Sequence, residues 1–349
     1  MSTPNALISI FDNSEERKSG FLENSSRIFS SDKTDAALYW GGEFVSLSFL
    51  RQTHSWGRLP ISYPSFKLLQ SKLSIFTPSL DLVSNHGFKT SDVDEHEIYD
   101  YSRVYGISVG ISASPSYRPR SLRPNLLINI FPLSQNILEL CYTIWYPARN
   151  GRQDGGNPWS MRKFTAYENQ RPHELKNSTC IFIQVPDYSR SKLFEICKND
   201  PGQPILKHIG LISAFDYNWS GYLMQFRDNL INKTQKWLYY SVGEEPIYEQ
   251  RNTIFQDQQN LEVLRRELLI VHQRLLANNR VLRMMQLQSK DHSNIWCRSD
   301  EGLMNLPTQL YELCARNKIH QDYVEFEVKK LDSASVLVSA TTALECIDF

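Results

Sequence analysis

The chain has 349 residues, 41% of them hydrophobic and 12% aromatic, with 38 Lys plus Arg balanced by 38 Asp plus Glu. That length suits about two domains, and the aromatic content excludes a disordered chain. Zero net charge provides no electrostatic funnel for nucleic acid, and no apolar run approaches the ~20 residues a bilayer-spanning helix needs, so neither nucleic-acid binding nor membrane insertion by this chain is expected.

Residues 1–35 are rich in Ser, Asn, Asp, Glu and Lys without periodicity and read as a loosely ordered lead-in; they lack the basic and apolar regions of a signal peptide. Phe66, Leu69 and Leu73 recur at helical spacing after Pro60, and a second helix is expected from Thr77 to Gly87. Residues 90–124 read as a long irregular connection, first acidic and then rich in Ser, Pro and Arg.

Period two then takes over. Leu126 to Phe131 reads as a buried strand, Leu138, Leu140, Tyr142, Ile144 and Tyr146 alternate along the next, and Trp159 to Tyr167 and Thr179 to Val185 supply two more. Aromatic residues on both faces point to a sheet covered on each side by helices. Phe215, Trp219, Tyr222, Leu223, Phe226 and Leu230 then mark a helix over about 214–238.

The strongest periodicity lies between Thr253 and Gln288. Leu261, Leu268, Leu275 and Leu282 fall seven apart, interleaved with Leu264, Val271, Asn278 and Met285, which is a heptad seam of about four heptads. Apolar residues also lie off the seam, so one reading is a core helix packed inside the chain. The other is a stalk through which copies self-associate, with Asn278 fixing register. Residues 289–307 break the pattern, and helix returns from about Thr308 through Leu344.

The fold expected is α+β: a mostly antiparallel sheet layered by helices, followed by a long carboxy-terminal helical arm. The domains expected are the lead-in 1–35, an α/β domain 36–245 and a helical stalk-like region 246–349.

No H-E-x-x-H pattern or P-loop occurs, and the Gly151 to Gly156 loop joins two strands and lacks the Lys-Ser end, so it reads as a turn. The six cysteines are scattered without a C-x-x-C pair, which predicts neither disulfides nor structural zinc. Asp92, Asp94, Glu95 and Glu97 form the one cluster of oxygen ligands suited to a hard cation; its plainer reading is a solvated acidic loop.

Trp56-Gly-Arg-Leu-Pro-Ile61, the run Pro78 to Lys89, Glu139-Leu-Cys-Tyr142, Asn157-Pro-Trp-Ser-Met-Arg162, Thr179-Cys-Ile-Phe-Ile-Gln184 and the helix from Asp257 to Arg266 resemble landmarks of fungal CorA-like transporter-domain proteins, over about residues 45–345. The resemblance implies a non-catalytic α/β domain leading into a long stalk helix. It also implies Mg²⁺ as a possible ligand and a role in assembly, gating or regulation from the cytoplasmic side. The pattern departs at Gly302-Leu-Met-Asn305, which is not the family's Gly-Met-Asn signature and has no apolar flanks. A membrane association would therefore belong only to a longer form carrying transmembrane helices. The alternatives are a protein–protein interaction scaffold that uses Leu261, Leu264, Leu268, Val271, Leu275, Asn278 and Leu282 for self-association or another partner, and an enzyme whose site is assembled from distant residues.

Overall fold

The structure, a computed structural model, describes residues 28–29, 35–40, 43–50, 71, 86, 103–108, 136–152, 157–170, 177–199, 204–238, 250–291 and 300–347. Among these, seven strands form one mixed sheet: β1 (Ile28–Phe29), β2 (Asp35–Trp40), β3 (Glu43–Leu50), β4 (Arg103–Ser108), β5 (Asn136–Arg149), β6 (Trp159–Gln170) and β7 (Asn177–Ile183). The order across the sheet is β1-β2-β3-β7-β6-β5-β4. The register pairs are antiparallel except β3 with β7, which run parallel with Phe49 opposite Phe182. Four helices follow: α1 (Asp187–Asn199), α2 (Pro204–Leu238), α3 (Gln250–Asp291) and α4 (Asp300–Ile347). The α+β class and the mostly antiparallel sheet expected from sequence are therefore present.

The chain divides into two compact units, each assembled from non-consecutive segments. The first comprises residues 1–144, 163–212 and 284–307. Here the alternation along β5 and β6 places Tyr142, Phe164 and Glu168 on one sheet face and Thr143 and Thr165 on the other. Phe49 stacks on Phe182 across the parallel pair at 5.6 Å, Phe194 of α1 tilts against the same ring, and the Arg190 guanidinium lies 4.7 Å above it. These contacts fix α1 on the sheet through large apolar area and a cation–π pair. The opposite face is held by hydroxyls: His86 bonds Thr165 at 2.7 Å, and Thr165 bonds Thr143 at 2.8 Å.

The second unit comprises residues 145–162, 213–283 and 308–349. Its core is a helical bundle in which Trp219, Leu223, Phe226 and Leu230 of α2 meet Leu261, Leu264, Leu268, Val271 and Leu275 of α3 and Val324, Leu331, Ala334 and Val338 of α4. Residue numbers rise on α3 as they fall on α4, from Gln258–Ser339 through Arg265–Asp332 to Leu275–Asn317, so these two helices are antiparallel. Asp216 of α2 pairs with Arg316 of α4 at 2.6 Å and Tyr323 lies near Arg227 and Asp228, which makes α2 and α4 parallel. The end of β5 packs here too: Tyr146 stacks on Phe215 at 4.2 Å.

Several boundaries differ from those expected. β4 falls inside the stretch read as irregular, because a six-residue strand containing Gly106 and set among loop-forming residues leaves too little alternation to detect. β1 lies within the stretch read as lead-in. Helix α2 begins at Pro204, well before the start expected near residue 214, and the proline supplies a preset backbone angle there. Helix α4 begins at Asp300 and runs through Pro307 instead of starting after it, which costs one rung of its hydrogen-bond ladder. Apart from Ser71 and His86, the expected helices over residues 62–73 and 77–87 and the strand Leu126 to Phe131 lie outside the described residues.

Candidate functional site

The densest chemistry in the first unit is a polar network on the covered face of the sheet. Glu168 sits on β6 directly opposite Cys180 of β7, and Tyr142 projects from β5 on the same face. Over them lies the start of α2, where Lys207 and His208 interrupt the otherwise apolar run Ile205 to Phe215. Lys207 Nζ donates to Glu168 Oε1 at 2.7 Å and lies 3.6 Å from Cys180 Sγ. His208 Nε2 contacts Glu168 Oε2, and its Nδ1 lies 2.7 Å from the Tyr142 hydroxyl. A carboxylate only accepts, so Nε2 carries a proton, and the chain is completed when Tyr142 donates to Nδ1.

Electrostatics follow from burial. The Lys207–Glu168 pair has side-chain exposures of 2% and 3%. Burial alone would raise the Glu168 carboxyl, but the Lys207 charge and the His208 hydrogen bond outweigh it and hold the group well below the usual carboxylate range. Burial, followed by the nearby Glu168 charge, pushes the Tyr142 phenol well above its ordinary value and keeps it protonated. A Tyr–His–Glu chain has the residue types of an acid–base relay. Here every member is closed to solvent, so its observable effect is to pin the first turns of α2 to the sheet.

The seam residues lie in the second unit. Leu261, Leu264, Leu268, Val271 and Leu275 are buried in the three-helix core, and Leu282 is 2% exposed. Asn278 is engaged by β5: its Oδ1 accepts from the Trp145 backbone N–H at 2.9 Å, and its Nδ2 donates to the Trp145 carbonyl at 2.8 Å. One turn away, the Arg274 guanidinium lies 4.5 Å over the Trp145 ring. The Leu275 carbonyl accepts from both Asn317 and Gln321 of α4 at 3.0 Å each, so the seam includes a satisfied polar layer.

Asp92, Asp94, Glu95 and Glu97 lie outside the described residues. Among the described residues no group of three or more His, Cys, Asp or Glu could hold a metal ion, and no helix is long and apolar enough to cross a membrane.

No protein-family model matches the chain, and no curated protein matches its sequence. Two solved structures are similar to it in outline. One is the cytoplasmic domain of ZntB from Vibrio parahaemolyticus, at 9% identity over 86% of this chain and 88% of that chain, with a TM-score of 0.41. The other is the full-length CmaX protein, at 11% identity over 89% of this chain and 72% of that chain, with a TM-score of 0.48. Scores below 0.5 do not establish a common fold.

Four of the sequence landmarks fall on described elements: Glu139 to Tyr142 in β5, Asn157 to Arg162 at the start of β6, Thr179 to Gln184 at β7 and Asp257 to Arg266 in α3. The Glu168–Lys207–His208–Tyr142 network is not among the sequence expectations. Its one signal is a Lys-His pair inside an apolar helical run, a pattern that needs a buried partner.

Proposed function

We propose that this chain is a non-catalytic module resembling the extramembrane part of CorA-like Mg²⁺ transporters, acting in assembly, gating or regulation on the cytoplasmic side. The observation that carries the reading is the pair of long antiparallel helices, 42 residues in α3 and 48 in α4. At 1.5 Å per residue helices of these lengths are each about 60–70 Å long, far beyond what a helix needs to cover one small sheet. The inward-turned Glu168 network supports a structural assignment of the strongest charged groups in the sheet layer. Partners act through the arm, as a second copy or another protein.

Mg²⁺ distinguishes this reading from a scaffold unconnected with transport. Asp92, Asp94, Glu95 and Glu97 are the proposed ligands. With a dissociation constant of about 1 mM, 10 mM Mg²⁺ stabilises the folded chain by about 1.4 kcal/mol, which reads as an upward shift of a few degrees in melting temperature. The shift is absent from a variant carrying D92N, D94N, E95Q and E97Q. A wild-type chain whose melting temperature and sedimenting mass ignore Mg²⁺ returns the module to the scaffold class.

A further inference from the structure

The hairpin that joins β5 to β6 is closed by one side chain. β5 ends at Arg149, β6 begins at Trp159, and the Asn150 N–H donates to the Pro158 carbonyl at 2.8 Å. The Asn150 carboxamide spans the mouth of the loop. Its Nδ2 donates to the Asn157 carbonyl at 2.8 Å and to the Trp159 carbonyl at 3.3 Å, while its Oδ1 accepts from the Arg152 N–H at 3.0 Å. Only a neutral amide can serve two carbonyls and an N–H at once, because it donates at one end and accepts at the other.

The next residue makes this amide chemically labile. Gly151 is exposed, has φ +71°, and a β-carbon built there would meet nothing within 4 Å. A glycine nitrogen has no neighbouring side chain to block its approach to the carboxamide of the residue before it.

We propose that Asn150–Gly151 is a deamidation site whose rate is governed by opening of the hairpin mouth. The Gly151 nitrogen bonds to Asn150 Cγ, the Cγ–Nδ2 bond breaks, and Nδ2 leaves as ammonia with the proton from Gly151. The product is a five-membered succinimide. Water then opens one of its two carbonyls, leaving aspartate or the isomer linked through the side chain. The carboxamide must turn its face toward the Gly151 nitrogen and release Nδ2, and both movements break the bonds to the Asn157 and Trp159 carbonyls. The Arg152 N–H polarises the Asn150 carbonyl toward attack, but polarisation is ineffective while the group is held in one orientation.

The product cannot close the loop again. A carboxylate donates nothing, so its oxygens would stand against two carbonyl oxygens. The change reaches the helical core through Trp159. Its indole N–H donates to Gln225 at 2.8 Å, and its ring lies edge-on to Tyr222 and against Gly221 of α2. This inference does not rest on the transporter-like reading or on Mg²⁺.

The test follows the Asn150 peptide of the full chain by mass spectrometry during incubation in heavy-oxygen water at mildly alkaline pH. The folded wild type acquires the label about tenfold more slowly than the same chain unfolded in guanidinium chloride, because reaction waits on local opening. N157A removes the Oδ1 that accepts from the Trp159 N–H at 3.0 Å, loosens the turn that carries both acceptor carbonyls, and speeds labelling severalfold. N150D, which stands in for the product, is cut by trypsin after the exposed Arg152 severalfold faster than the wild type. Equal labelling of the folded and unfolded chain, an N157A rate no different from the wild type, or an N150D loop cut no faster overturns the proposal.

Discussion

Glu168 is the residue on which the sheet's polar chemistry turns, and its pH dependence has a definite sign. Its folded carboxyl titrates far below the unfolded value of 4.5, so the native state binds fewer protons than the unfolded one in that interval. The stability it contributes is fully present above the unfolded value and drains away as pH falls below it. Urea unfolding across roughly pH 3–7 should show this acid loss in the wild type and a flatter profile in E168Q, at a lower overall stability. K207M strands Glu168 without its main counter-charge and should cost about 3–5 kcal/mol. An unchanged urea midpoint in K207M would mean that the pair contributes nothing net. Beyond the Lys207-His208 pair in an apolar run, none of this is legible in the sequence. Glu168, Lys207 and Tyr142 come from three separate elements, and only the pairing of β6 with β7 and the placement of α2 above them bring the groups within hydrogen-bond distance.

At the scale of elements, legibility tracks the length and regularity of the pattern. The α3 heptad and the alternations of β5 to β7 are long enough for periodicity to override local composition. β1 and β4 are short edge strands, and an edge strand of two to six residues carries little more information than a loop. The partner of the α3 seam is equally hidden, because a heptad states that a helix has a neighbour but not whose neighbour it is. Its answer comes from α2 and α4, whose apolar stripes face it. Leu275 is fully buried in that core, so Leu275→Ala should cost about 2–5 kcal/mol in urea unfolding, whereas Val263→Lys, at an exposed position on the same helix, should change stability by less than about 0.5 kcal/mol. Comparable losses at both positions would contradict the packing described.

At the scale of the whole molecule, the two compact units use the chain non-consecutively. The second cannot be completed by residues 246–349 alone, because Trp219, Leu223, Phe226 and Leu230 cover one side of its core. A fragment of residues 246–349 should therefore expose that seam, lose helicity and self-associate without a defined stoichiometry. Extending it to residues 213–349 should restore most of the helical signal and a cooperative thermal transition. Equal helicity and cooperativity in the two fragments would show that α3 and α4 suffice as a hairpin.

The parallel pairing of β3 with β7 has a consequence for synthesis. About 130 residues separate the end of β3 from the start of β7, and at ribosomal speeds of roughly 5–20 residues per second this is a wait of about 6–25 s. Throughout it, β3 has its antiparallel neighbour β2 on one side and no partner on the other. An emerging chain with an open strand edge is a substrate for chaperones and for stray pairing with other nascent chains. The slow step in making this protein is then set by where one strand lies in the message, and translation pauses upstream of codon 177 should raise the aggregated fraction.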